Sequence, residues 1–116
     1  MKKFLAVYIG TEDAMAKWKD LSEDARKERE KQGMNAWMQW GEKNAKAILD
    51  TGAPLGKTKR TSAKGITDIK NALTGYTIIE AESHEAAAAL FLKHPHFSIF
   101  PGDSVEIMEC LPLPSR

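Results

Sequence analysis

"GYTIIEAESHEAAAALFLKHPHFSIFPGDSVEIMECL", residues 75–111, decides the fold. Its opening "GYTIIEA", residues 75–81, is dense in β-branched and aromatic side chains and reads as a strand. Ser83 then offers an N-cap, Glu85 suits a first helical turn, and "AAAALFLK" has strong helix propensity. Pro95 stops that helix, because the residue before a proline is driven out of the helical region. "DSVEIMECL", residues 103–111, is the closing strand. A strand, a helix and a strand joined this tightly form half of an α+β domain.

Moving to the N-terminus, "KFLAVYI", residues 3–9, is apolar on both alternating faces. Leu5, Val7 and Ile9 share one side; Phe4, Ala6 and Tyr8 share the other. A strand with no solvent face is covered on both sides. In a chain of 116 residues the second cover is expected from another subunit.

Thr11 with Glu12 and Asp13, and Ser22 with Glu23 and Asp24, each mark a helix start. The spacing predicts helix from Ser22 to Ala47, with Gly33 a break point costing about 1 kcal/mol relative to alanine. Met34, Trp37, Met38 and Gly41 follow i, i+3, i+4, i+7 and place an apolar stripe, extended by Trp40, on the sheet. Residues 48–74 turn polar and are broken by Gly52, Pro54, Gly56 and Gly65. Ile48 to Thr51 reads as a short strand leading into an irregular hairpin arm. The cluster "KTKR", residues 57–60, is either an anion contact or a solvated edge where lysines deter edge pairing. The elements together give βαββαβ, a ferredoxin-like sheet with helices on one face.

Composition narrows the function. The chain reads as one domain over residues 1–116 with a tail from about 112, and at 42% hydrophobic and 28% charged it is ordinary globular protein. A net charge of +1 gives no electrostatic case for nucleic acid or an anionic membrane. The single cysteine, Cys110, excludes an internal disulfide and multi-cysteine zinc motifs, and its apolar setting predicts a buried, inert thiol. The N-terminal apolar run is only about seven residues with no small-residue cleavage site, and reads as a strand rather than a signal peptide. No stretch reaches the roughly 18–20 apolar residues of a span, and a cytoplasmic location is expected. No P-loop, paired-glycine fingerprint or G-x-S-x-G occurs, so no cofactor is implied.

The titratable candidates stand at element ends. His94 and His96 flank Pro95, and an imidazole has the pKa range for acid–base work. The same position in a last helical turn favours the helix dipole without any chemistry. His84 is about ten helical residues from His94, roughly 15 Å, so a third metal ligand is missing and no metal site is expected. Asp50 precedes the Gly52–Pro54 turn, where it pairs with His94 if the turn reaches a cleft, or else bonds its own turn backbone. Tyr76, Trp37 and Trp40 are candidate ligand walls, with His96 beside them; each also serves as packing.

"LTGYTIIEAESHEAAAALFLKHPHF…GDSVEIMEC" resembles the C-terminal half of the YCII-related (DGPF) domain family. "WMQWGEKNAKAILDTGAPLG" resembles that family's Trp-rich helix and Leu-Asp-x-Gly-x-Pro-Leu-Gly turn. The namesake Asp-Gly-Pro-Phe is absent, and "AKGI", residues 63–66, stands in its place, which marks a divergent branch. The resemblance implies a dimeric α/β barrel, in which two ferredoxin-like sheets pack face to face with small-molecule clefts between sheet and helices. It further implies small, in some relatives aromatic, substrates and a His/Asp acid–base pair, with His94 at the family's His-or-Asp before proline. Two functions are therefore expected: a homodimeric enzyme using His94 and Asp50, or a ligand-binding module without chemistry.

Overall fold

In the computed structural model, which describes residues 1–114, the chain runs β1 (Lys2–Ile9), α1 (Glu12–Lys19), α2 (Glu23–Lys43), β2 (Ile48–Asp50), β3 (Thr58–Ser62), β4 (Gly65–Ile69), β5 (Leu73–Ala81), α3 (His84–Ala89), α4 (Pro95–Ser98) and β6 (Ser104–Glu109). The end of the expected tail, residues 115–116, lies outside the described residues. Four strands form an antiparallel sheet in the order β2-β5-β1-β6, and β3 and β4 pair separately. This is the ferredoxin-like arrangement of an α+β domain, with the β3–β4 hairpin inserted between its second and third sheet strands.

Register explains the core. Phe4 faces Ile79, Ala6 faces Thr77 and Tyr8 faces Gly75, so alternation puts Phe4, Ala6 and Tyr8 on one side. There they are buried with Ile79, Ala81, Ala87 and Phe91, and Trp37, Trp40 and Leu90 pack against them. Leu5 opposite Ile78 and Val7 opposite Tyr76 belong to the other face. The helices occupy the first face only, so the second is left to the strands' own side chains.

α2 runs unbroken through Gly33, the one buried residue among its 21. The expected inward stripe is corrected in part: Trp37 and Trp40 pack inward as expected, but Met34 and Met38 are 58% and 62% exposed, and Gly33 is the buried position. The reason is close approach. A Cβ on residue 33 would lie 2.5 Å from the Phe100 ring, so only glycine lets the chain at Phe100 pack onto the helix.

The region around Pro95 also differs from expectation. α3 ends at Ala89, a turn follows, and His94 caps the next short helix, with Pro95 at its first position, where a missing N–H costs nothing. Lys93, just before the cap, has φ 59°, a left-handed conformation uncommon outside glycine. Cys110 is exposed rather than buried, because β6 ends at Glu109 and leaves it past the sheet.

The β3–β4 hairpin stands off as an arm. Its five cross-strand pairs are regular, yet only Thr58 and Ile69 within it are better than exposed. Lys57, Lys59 and Arg60 of the basic cluster lie on or beside it, and Lys59 pairs with Asp68 at 2.7 Å in open solvent. No helix among the described residues is long and apolar enough to cross a membrane.

Candidate functional site

A cleft of about 390 Å³ opens between α2, the β2–β5 edge and the segment after α3. Tyr8 enters it from the end of β1, where a bulge between Tyr8 and Ile9 shifts the pairing with β5. Gly75 receives the Tyr8 ring: a Cβ there would lie 3.2 Å from Tyr8 Cδ2. Trp37 and Met34 of α2 form one wall, Phe100 another, and the Thr51–Pro54 turn a third. The lining is mostly apolar, and His96 is its imidazole.

That turn is held by Asp50, whose Oδ1 accepts the N–H of Gly52 at 2.8 Å. Gly52 has φ 71°, and a Cβ on it would fall 1.7 Å from the carbonyl oxygen of Tyr76, so the turn requires glycine twice over. Asp50 itself is exposed and lies outside the cleft lining.

His94 sits behind the cleft, fully buried. Its Nδ1 accepts the backbone N–H of His96 at 3.0 Å, so the neutral ring carries its proton on Nε2. Nε2 is sealed from solvent and has no hydrogen-bond partner. The ring lies 4.5 Å from Trp37 and 4.6 Å from Trp40, at 89° and 72°, packed edge-to-face among the indoles. Burial, with His96 as a second cause, lowers its pKa to about 4. Trp40 is occupied elsewhere: its Nε1–H donates to the Leu90 carbonyl at 2.8 Å.

His96 is placed differently. Its Nε2 meets the Ile9 carbonyl oxygen at 2.8 Å, and a carbonyl only accepts, so Nε2 bears the hydrogen and Nδ1 the free lone pair. Among the described residues Nδ1 has no partner, and it is not among the sealed polar atoms of the interior. Burial lowers the pKa of His96, opposed by the Ile9 carbonyl and the Asp103 carboxylate. Asp103 in turn accepts the Thr11 N–H at 2.6 Å, tying the site to the start of α1.

Tyr8 supplies a second polar atom. The Thr77 hydroxyl donates to the Thr51 carbonyl at 3.2 Å, so the Tyr8 hydroxyl donates to Thr77 Oγ1 at 2.8 Å. The phenol oxygen keeps its lone pairs for a further donor. Burial raises the Tyr8 pKa and Thr77 partly offsets it, so the phenol stays protonated at neutral pH.

Of the residues singled out in the sequence, Trp37, Tyr76 and His96 come together around the cleft. His94 lies behind it, Trp40 behind His94, and Asp50 at the turn; His94 and Asp50 share no hydrogen bond. Tyr8, Thr77 and Phe100 were not legible as site residues. The alternation in "KFLAVYI" puts Tyr8 on a face but says nothing of what meets it there. Among the described residues no three His, Cys, Asp or Glu side chains gather as a metal site needs.

No family model matches the chain, and no curated protein does. Among solved structures, it is similar to 5-chloro-2-hydroxyhydroquinone dehydrochlorinase from Burkholderia phenoliruptrix AC1100, solved in complex with 2,5-dihydroxybenzoquinone. The two are 17% identical over 91% of this chain and 90% of that one, with a TM-score of 0.52. At that identity the likeness is one of fold, and it extends over nearly the whole domain.

Proposed function

We propose that this chain is a small-molecule enzyme that binds a hydroxylated aromatic ring in the cleft and accepts a hydroxyl proton on His96 Nδ1. One observation carries the reading: His96 presents an unpartnered, solvent-reachable Nδ1 at an apolar cleft, with its tautomer fixed by the Ile9 carbonyl. Trp37 and Phe100 offer flat faces to a ring, and the Tyr8 oxygen can accept from a second substituent. A cleft of about 390 Å³ falls at the small end of the roughly 300–1,000 Å³ range of ligand pockets. The similar dehydrochlorinase fold held a dihydroxybenzoquinone, which agrees with that ligand class. In this reading His94 positions His96, Trp40 backs His94, and Asp50 shapes the Thr51–Pro54 wall.

The proposal includes membership of a divergent YCII-related branch and assembly as a homodimer through the sheet face that carries Leu5, Val7 and Ile78. Sedimentation of the intact chain at micromolar concentration is expected to give a dimer; a monomer would remove that part.

The chemical test uses 4-nitrophenol, whose absorbance reports its ionisation. Bound to the wild type, it is expected to ionise at lower pH than in free solution, and the effect is lost in His96→Gln. An identical spectrum in both proteins overturns the proton-transfer reading. The alternative is a binding module without chemistry, favoured by the lack of any carboxylate in the cleft lining. It predicts that His96→Gln binds as well as wild type and that neither ionises the probe.

A further inference from the structure

Phe100 is the one residue that lines both the cleft and the pocket under α1. On one side lies the apolar cleft with His96. On the other is a pocket of about 400 Å³ under α1, which takes in Trp18, Lys17 and Arg29 with Asp13 and Asp103. The ring stands between two indoles, 6.0 Å from Trp37 on the cleft side and 6.1 Å from Trp18 on the other. It can stand there only because residue 33 has no side chain: a Cβ would lie 2.5 Å from both Cε2 and Cζ of Phe100. A glycine in the middle of a helix is unfavourable by roughly 1 kcal/mol. Here it gains a partition wall.

We infer that Phe100, seated on Gly33, sets the size limit of the cleft, confining it to single-ring ligands and closing off the neighbouring pocket. Phe100 is thus a specificity-determining residue and Gly33 a positioning residue acting through it. This rests on the proposed reading that rings enter the cleft, but not on proton transfer by His96. Shortening residue 100 joins the two spaces and lets a fused second ring pass toward the pocket under α1.

The test is calorimetric titration of the intact protein with phenol and with 2-naphthol. Wild type is expected to bind phenol at least tenfold more tightly than 2-naphthol. Phe100→Leu, which keeps an apolar side chain for folding, reverses the preference or narrows it at least tenfold, and Phe100→Ala does so further. Gly33→Ala, which must push the ring off its seat, weakens phenol binding, and Phe100→Leu in the same chain restores it. An unchanged phenol-to-naphthol ratio in Phe100→Leu overturns the inference, whatever 4-nitrophenol shows. If wild type binds neither ring, the inference and the ligand-class reading fall together. If the ratio shifts while bound 4-nitrophenol never ionises, the partition stands and only the proton-transfer reading fails.

Discussion

The imidazole of His94 caps the helix that carries His96: its Nδ1 accepts the His96 backbone N–H at 3.0 Å. Two adjacent histidines thereby divide their roles. One spends its acceptor on the backbone inside an aromatic box, and the other keeps its Nδ1 free.

Replacing His94 by alanine removes a helix cap, typically worth about 1 kcal/mol, and leaves a void among Tyr8, Trp37, Trp40 and Phe91. A loss of roughly 2–4 kcal/mol is expected, read by urea unfolding at pH 8, where the ring is neutral. A loss under about 0.5 kcal/mol would contradict the capping and packing described.

Stability should also depend on pH through the same residue. The folded pKa of His94, about 4, lies below the ordinary 6.5, so the unfolded chain binds the extra proton between those values. Stability is therefore complete above about pH 6.5 and declines as pH falls toward 4. The loss is roughly 3 kcal/mol from His94, with His96 acting in the same direction. Unfolding free energies across pH 8 to 4 should show this slope, and His94→Phe should flatten it. An equal slope in that variant would assign the effect elsewhere.

Lys93 holds φ at 59° immediately before the cap. Glycine adopts that region without a Cβ penalty, so Lys93→Gly is expected to raise stability by about 0.5–1 kcal/mol despite the greater freedom of the unfolded chain. A shift of the urea midpoint to lower concentration would show that the lysine side chain contributes more than its backbone costs.

Gly102 backs the His96 ring so closely that a Cβ would lie 2.3 Å from its Nε2 and 2.4 Å from the His96 carbonyl oxygen. Because backbone stands on that side, Gly102→Ala cannot be absorbed by one rotamer change. A cost of about 1–3 kcal/mol is expected, together with loss of the bond to Ile9. The imidazole nitrogen shifts in NMR report that bond directly; unchanged shifts with unchanged stability would refute it.

Much of the frame was legible from residue order. The two-faced "KFLAVYI", the alternating "GYTIIEA" and the caps at Thr11, Ser22 and Ser83 specify local structure through period, propensity and hydrogen bonding among near neighbours. Those signals act within a few residues, so they carry to the ferredoxin-like order without knowledge of contacts. Trp37 and Trp40 of the expected stripe pack inward, but Met34 and Met38 do not, because helix rotation is set by the partner that packs on it, and that partner, Phe100, lies far along the chain.

The site depended on tertiary structure in the same way. "HPH" announced two histidines but could not separate them, since their difference is which carbonyl, which N–H and which rings each one meets. Ile9 and Tyr8 reach these histidines from the opposite end of the chain, and Thr77 reaches Tyr8 across the sheet. The sequence by itself determined strands, caps and the sheet's alternating faces, because those follow from local geometry. Only the tertiary structure decided that His94 is sealed and His96 is open, because burial and tautomer are set by atoms distant in sequence.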